Sequence, residues 1–187
     1  MSVHKISDKI WKIICGSNVY FLDFDEKILI DTGERSEHAT LKLFLTKLVS
    51  PEKIDKVIFT HLHYDHIGNF DMFKNAKFYS SKQEIRDLAQ NPQGCILNQD
   101  MAEKFRYVEL GAAKDTQELK IINTPGHTRG SICIWYEKEK ILFSGDTMFD
   151  RGLGRTDLPT SEPKEMQKTV IKLLRLNHKI LCPGHDY

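Results

Sequence analysis

Thr60-His61-Leu62-His63-Tyr64-Asp65-His66-Ile67-Gly68 holds three imidazoles and a carboxylate within six consecutive residues. Packing does not explain that density; a bound cation does. Imidazole with carboxylate is a donor set for zinc, with iron and manganese as alternatives. The apolar run Lys56-Val57-Ile58-Phe59-Thr60 leads straight into the cluster. Its β-branched and aromatic residues favour a strand, so the ligands are expected at the end of a rigid element. In extended backbone alternate side chains share a face. That would put His61, His63 and Asp65 on one side, with His66 freed by a turn at Gly68. A helix carrying His61 and Asp65 at i and i+4 is the weaker alternative.

The same design recurs downstream. Ile121-Ile122-Asn123-Thr124-Pro125-Gly126-His127 reads as strand, turn and ligand. Lys140-Ile141-Leu142-Phe143-Ser144-Gly145-Asp146 and Lys179-Ile180-Leu181-Cys182-Pro183-Gly184-His185 read the same way. A glycine directly before each ligand permits a sharp turn or a close backbone approach, and Pro125 and Pro183 stiffen two of the turns. Any one of these alone is an ordinary turn signal. Together with the first cluster they bring the candidate ligands to His61, His63, Asp65, His66, His127, Asp146 and His185. One four-coordinate zinc cannot use them all.

The series His-x-His-x-Asp-His, Pro-Gly-His-Thr, Gly-Asp-Thr and Pro-Gly-His resembles the metallo-β-lactamase-fold hydrolases, from Ile30-Asp31-Thr32-Gly33 to His185. Within that superfamily, Gly145-Asp146-Thr147-Met148-Phe149 followed by Gly152-Leu153-Gly154-Arg155-Thr156-Asp157-Leu158-Pro159 looks most like the short glyoxalase II-like (hydroxyacylglutathione hydrolase-like) proteins. The persulfide dioxygenases carry a similar Gly-Arg-Thr-Asp loop. The resemblance implies an α/β (α+β) fold, a four-layer αββα sandwich, as one domain over residues 1–187. Residue patterning alone supports a mixed α/β domain.

The resemblance also implies two zinc ions, with iron or manganese possible. His61, His63 and His127 would hold the first, Asp65, His66 and His185 the second, and Asp146 would bridge them. Asp65 and Asp146 are then the catalytic carboxylates, Asp146 as a ligand and not as the proton shuttle. A hydroxide between two such cations would attack the carbonyl of a small-molecule acyl-thiol, an S-2-hydroxyacyl thioester. A mononuclear-iron persulfide dioxygenase, a lactonase or phosphodiesterase, and a metal-binding domain without activity stand as alternatives, since fold does not fix substrate. The commonest zinc β-lactamases carry cysteine where Asp146 stands, so antibiotic hydrolysis is not the expected task.

By the same resemblance Asp31 supports the metal-binding loop; its own sequence setting suggests a helix cap or turn. Arg155 sits where glyoxalase II-like proteins place a basic residue that contacts the thiol carrier, and a salt bridge with Asp157 is the alternative. Tyr64 and Tyr187 are expected to line the cleft. Cys182, close to His185, is expected to pack in the core. The larger glyoxalase II enzymes add a C-terminal helical domain for glutathione. No counterpart follows His185 in this sequence, which leaves the thiol carrier open.

Of the 187 residues, 27 are basic and 26 acidic, without a basic stripe, so no nucleic-acid partner is expected. No apolar run is long enough to span a bilayer. The N-terminus lacks the apolar core of a secretion signal. Cys15, Cys95, Cys133 and Cys182 show no CxxC pairing, and free thiols in a reducing, cytoplasmic compartment are expected. Nothing in the sequence sets the oligomeric state.

Strands are expected over 11–14, 19–24 and 27–31, with a hairpin turn at Asp25-Glu26. Leu41, Phe44, Leu45 and Leu48 recur at helical spacing within 36–49, and Pro51 ends that helix. A short helix should begin within 67–73. A strand over 77–80 leads to a helix capped by Ser81. The Asn- and Gln-rich segment 90–100, with Pro92 and Gly94, reads as a loop or a lid over the site. Strands return over 120–123, 131–136 and 140–144. Residues 163–176 form an amphipathic helix with Val170, Leu173 and Leu174 on one face. His4, His38 and His178 are expected to be solvated.

Overall fold

A computed structural model describes residues 3–186. The first sheet places β1 (Val3–Ser7), β2 (Ile10–Cys15), β3 (Ser17–Asp23), β4 (Lys27–Ile30), β5 (Lys56–Ile58), β6 (Lys77–Ser80) and β7 (Leu110–Ala112) side by side in chain order. Pairing is antiparallel from β1 to β4 and parallel from β4 to β7. In the second sheet β8 (Leu119–Asn123), β9 (Ile132–Tyr136) and β10 (Ile141–Gly145) form an antiparallel meander. A hairpin of β11 (Met148–Phe149) and β12 (Gly152–Leu153) follows. Then β13 (Ile180–Pro183) returns to pair parallel with β10.

The period of two along each strand sorts the core into three layers. Tyr20, Leu22, Ile28, Ile30 and Ile58 of the first sheet pack against Ile132, Ile134, Ile141 and Phe143 of the second. Their neighbours Val19, Phe21, Leu29 and Val57 point the other way, onto Leu41 and Leu45 of α1 (His38–Leu45). Cys133, Trp135 and Leu142 leave the far face of the second sheet and meet Leu173 of α6 (Pro163–Leu174). Three apolar layers between helix, sheet, sheet and helix make the expected αββα sandwich. Strands buried on both faces explain why several read as continuous apolar runs rather than alternating ones.

Several expectations need correction. Strand β5 ends at Ile58, and Tyr64–Ile67 forms one helical turn, α2, closed by His66 and Ile67 N–H groups donating to the His63 carbonyl. Asp65 and His66 therefore project from a helical turn and not from extended chain. Gly68 has a right-handed backbone and does not supply the turn.

Segment 90–100 is not a loop. After α3 (Lys82–Gln90) come α4 (Pro92–Ile96) and α5 (Gln99–Phe105), whose Cys95, Ile96, Met101 and Phe105 join the helix-side core. Asn91 and Asn98 are N-caps, each accepting a backbone N–H at its third following residue. Leu174 is 61% exposed, and the buried face of α6 is Met166, Thr169 and Leu173. His38 shares a hydrogen bond with Asn69, and His178 is half-buried. The four cysteines are free and buried, with Cys182 packed between the sheets. Among the described residues no helix is long and apolar enough to cross a membrane.

Candidate metal centre

The ligands gather at one end of the sandwich because β5, β8, β10 and β13 all deliver their C-terminal ends there. His61 and His63 follow β5, His127 follows β8, Asp146 follows β10 and His185 follows β13. Asp65 and His66 come from α2. Two glycines make the convergence possible. Gly145 has φ +50, and a Cβ there would meet Thr60 Oγ1 at 2.6 Å. At Gly184 a Cβ would lie 2.1 Å from Asp146 Oδ1, so only glycine lets the His185 turn approach the carboxylate.

Three sets of donor atoms each lie within 4.8 Å of one another: His61, His63 and His127; His61, His66 and Asp146; Asp65, His66 and His185. His127 Nε2 faces His63 Nδ1 at 3.0 Å. His185 Nε2 is 3.2 Å from Asp65 Oδ2. Asp146 lies between the outer sets. Its Oδ2 is 3.6 Å from Nε2 of both His127 and His185, and its Oδ1 is 3.3 Å from His66 Nε2.

The far ring nitrogens are tied down. His127 Nδ1 donates to the Arg155 carbonyl at 2.8 Å, His185 Nδ1 to the Gly16 carbonyl at 3.2 Å, and His66 Nδ1 to Asp31 Oδ2 at 2.9 Å. Such bonds fix which nitrogen is left to bind a cation. By contrast His61 Nε2, His63 Nε2, His66 Nε2 and Asp146 Oδ1 are buried without a hydrogen-bond partner. Buried polar atoms are normally satisfied. Those of His61, His66 and Asp146 belong to one close donor set, imidazole nitrogen and carboxylate oxygen that fit a bound divalent cation, whereas His63 turns its other nitrogen, Nδ1, toward His127.

Burial and charge divide the imidazoles. Burial pushes His61 well below the usual histidine range, with the neighbouring imidazoles adding to it, and takes His63 down to about 3. His127 is lowered too, again chiefly by burial. Burial also opposes a charged His66, but the Asp146 and Asp31 carboxylates outweigh it and raise that ring well above its ordinary value. Burial works against ionised Asp65 and Asp146 as well, yet the facing imidazoles hold both lower than a free carboxylate. The first set is thus neutral imidazole, while in the second the carboxylates favour the protonated form of both His66 and His185.

A pH titration follows directly. In metal-stripped protein, nitrogen NMR should find the His63 ring neutral throughout pH 5–8, because a lowered pKa leaves the neutral form populated above it. A His63 titration near 6.5 would contradict the burial account.

Asp31 has a left-handed backbone (φ +59), which aspartate tolerates better than most residues. From there Oδ1 accepts the Thr60 N–H and Oδ2 accepts the Thr60 hydroxyl, both at 2.8 Å, besides the His66 ring. It therefore steers the residue before His61 and the tautomer of His66 together. Asp31→Asn cannot accept from all three donors and should weaken cation affinity about 10–100-fold. Calorimetric titration reads this, and unchanged affinity would refute it.

A cavity of about 310 Å³ opens beside His127 and Asp146, walled by Phe149, Arg151, Gly152, Leu153 and Arg155. The Arg155 guanidinium makes a two-bond pair with Asp157, at 2.8 and 2.9 Å, which is the salt-bridge alternative. Arg151, which motif reasoning passed over, is exposed on the same wall without a hydrogen bond or ion pair among the described residues. Tyr64 is 37% exposed on α2; Tyr187 lies outside the described residues.

A family model described as the Metallo-beta-lactamase superfamily matches residues 13–185. A beta-lactamase-like protein 2 homolog of Caenorhabditis elegans is 29% identical, the match covering 98% of this chain and 63% of that protein. A probable metallo-hydrolase of Streptococcus pyogenes is 30% identical, over 95% of this chain and 83% of its own length. A hydroxyacylglutathione hydrolase of Francisella philomiragia is 29% identical over 72% of this chain and 50% of that protein. The chain thus spans less than two thirds of two of these relatives. Among solved structures, a metallo-beta-lactamase family protein of Thermus thermophilus superposes with a TM-score of 0.78 at 20% identity, over 98% of this chain and 75% of that one. A protein solved in a di-iron-bound form superposes at 0.70 with 21% identity, over 100% and 93%.

Proposed function

This chain belongs to the metallo-β-lactamase superfamily, and on that premise we propose that it is a dinuclear metal-dependent thioester hydrolase. The observation that carries the reading is Asp146, with one carboxylate oxygen equidistant, at 3.6 Å, from an imidazole of each outer ligand set. His61, His63 and His127 would hold one cation, Asp65, His66 and His185 the other, and Asp146 both. When bound, the cations supply Lewis acidity and bring the pKa of water near neutrality. Zinc suits the donors, and the di-iron form of a structural neighbour keeps iron open.

The protein's own groups do the rest. Asp31 and the Gly16 and Arg155 carbonyls hold His66, His185 and His127 in the binding tautomer. Phe149 and Leu153 offer apolar wall to an acyl group, and the cavity's volume suits a small one. Arg151 carries a guanidinium at that wall and can grip a carboxylate of the thiol carrier with two hydrogen bonds. Arg155, already paired with Asp157, is less available. The hydroxyacylglutathione hydrolase relatives support a thioester over other acyl groups.

The test is elemental analysis of protein purified without added metal, then a panel of S-2-hydroxyacyl thioesters, lactones, phosphodiesters and a persulfide under oxygen. The reading expects two cations per chain and thioester turnover. One iron with oxygen uptake, or turnover of only another class, would replace it.

A further inference from the structure

Glu84 is a fully buried carboxylate that the chemistry above does not use. Its position three residues after Ser81 is that of a capping-box glutamate, and Ser81 Oγ does accept the Glu84 N–H. The carboxylate nevertheless turns inward. Oε2 accepts the Leu62 N–H at 3.1 Å, and Oε1 accepts the Thr128 hydroxyl at 2.5 Å. Leu62 lies between His61 and His63, and Thr128 directly follows His127. The Cys95 thiol sits 3.6 Å from Oε2. Among the described residues no cation pairs with Glu84; Arg129 is engaged by Asp87, one turn further along α3, through both carboxylate oxygens.

Burying a carboxylate without a counter-charge is costly, and here burial, with Asp87 adding to it, raises its pKa to about 7. An apolar residue at this position would pack more cheaply. Only a two-oxygen acceptor can take a donor from each ligand loop at once.

We propose that Glu84 is a positioning residue that fastens the His61–His63 loop to the His127 loop and so sets the spacing of those three imidazoles. The proposal rests on the dinuclear reading above. It predicts an asymmetry, because neither bond reaches Asp65, His66 or His185. Loss of Glu84 should disturb one cation site and spare the other.

The experiment is calorimetric titration of metal-free wild-type, Glu84→Gln and Thr128→Val protein with zinc, with thermal unfolding of each metal-free form. Glutamine preserves volume but has one acceptor oxygen, and Thr128→Val removes one arm together with the hydroxyl contact to Ser131. Expected are two equivalents in the wild type. In Glu84→Gln one equivalent should weaken about 10–100-fold, the range for groups that hold ligands in place, while the other is unchanged. Thr128→Val should show a smaller loss at the same site. Wild-type protein that bound fewer than two equivalents of zinc would overturn the dinuclear reading. Wild-type protein binding two, with both sites of Glu84→Gln unchanged or both weakened equally, would overturn the role of Glu84 alone. A merely structural glutamate would shift metal-free unfolding and both sites together.

Discussion

Asp146→Ala should lower kcat/KM for thioester hydrolysis about a thousandfold or more. Its two oxygens face His66, His127 and His185, so one substitution takes a ligand from both outer sets. Lewis-acid stabilisation of the reacting oxygen is worth several kcal/mol, and each 1.36 kcal/mol is tenfold in rate. Loss of about 4 kcal/mol therefore gives about a thousandfold. Far-UV circular dichroism should be unchanged, because Asp146 follows the end of β10 and contributes to none of the three apolar layers. Activity within tenfold of wild type, in a variant of normal metal content, would remove Asp146 from the chemistry.

Chelation has the second largest expected effect, on stability as well as activity. A ligand at a hundred times its dissociation constant stabilises the folded state by about 2.7 kcal/mol. Two such sites give about 5 kcal/mol. For a domain of this size each kcal/mol moves Tm by about 2–4 °C. Scanning calorimetry with and without chelator should thus differ by about 10–20 °C, and readdition of zinc should restore both Tm and turnover. Coincident unfolding curves would mean that His61, His63 and their neighbours hold no cation of consequence to the fold.

Much of this was legible in the sequence because each ligand is local punctuation. An apolar strand, a small residue and a ligand can be read at β8, β10 and β13 without knowing which strands pair. What the sequence conceals is where a polar residue is spent. Asn91, Pro92, Gly94 and Asn98 look like loop chemistry, yet the asparagines cap α4 and α5 and the proline opens α4, where its missing N–H costs nothing. Strand β1 went unread because Val3–Ser7 is a half-exposed edge. Val170 and Leu174 are as apolar as the residues of α6 that pack, and only the Pro125-Gly126 turn and the neighbouring sheet choose Met166, Thr169 and Leu173. Glu84 lies in Lys-Gln-Glu-Ile-Arg-Asp, a run that reads as solvated helix surface. Nothing local reveals that its partners are 22 and 44 residues away. Arg151 likewise looks like any hairpin residue until the cavity is in view.

The central claim, that two cations share Asp146, is tested most directly by anomalous diffraction from crystals of protein purified without added metal. The account predicts two peaks, one among His61, His63 and His127, the other among Asp65, His66 and His185, with the Asp146 carboxylate between them. A single peak, or two peaks neither of which touches Asp146, would contradict it.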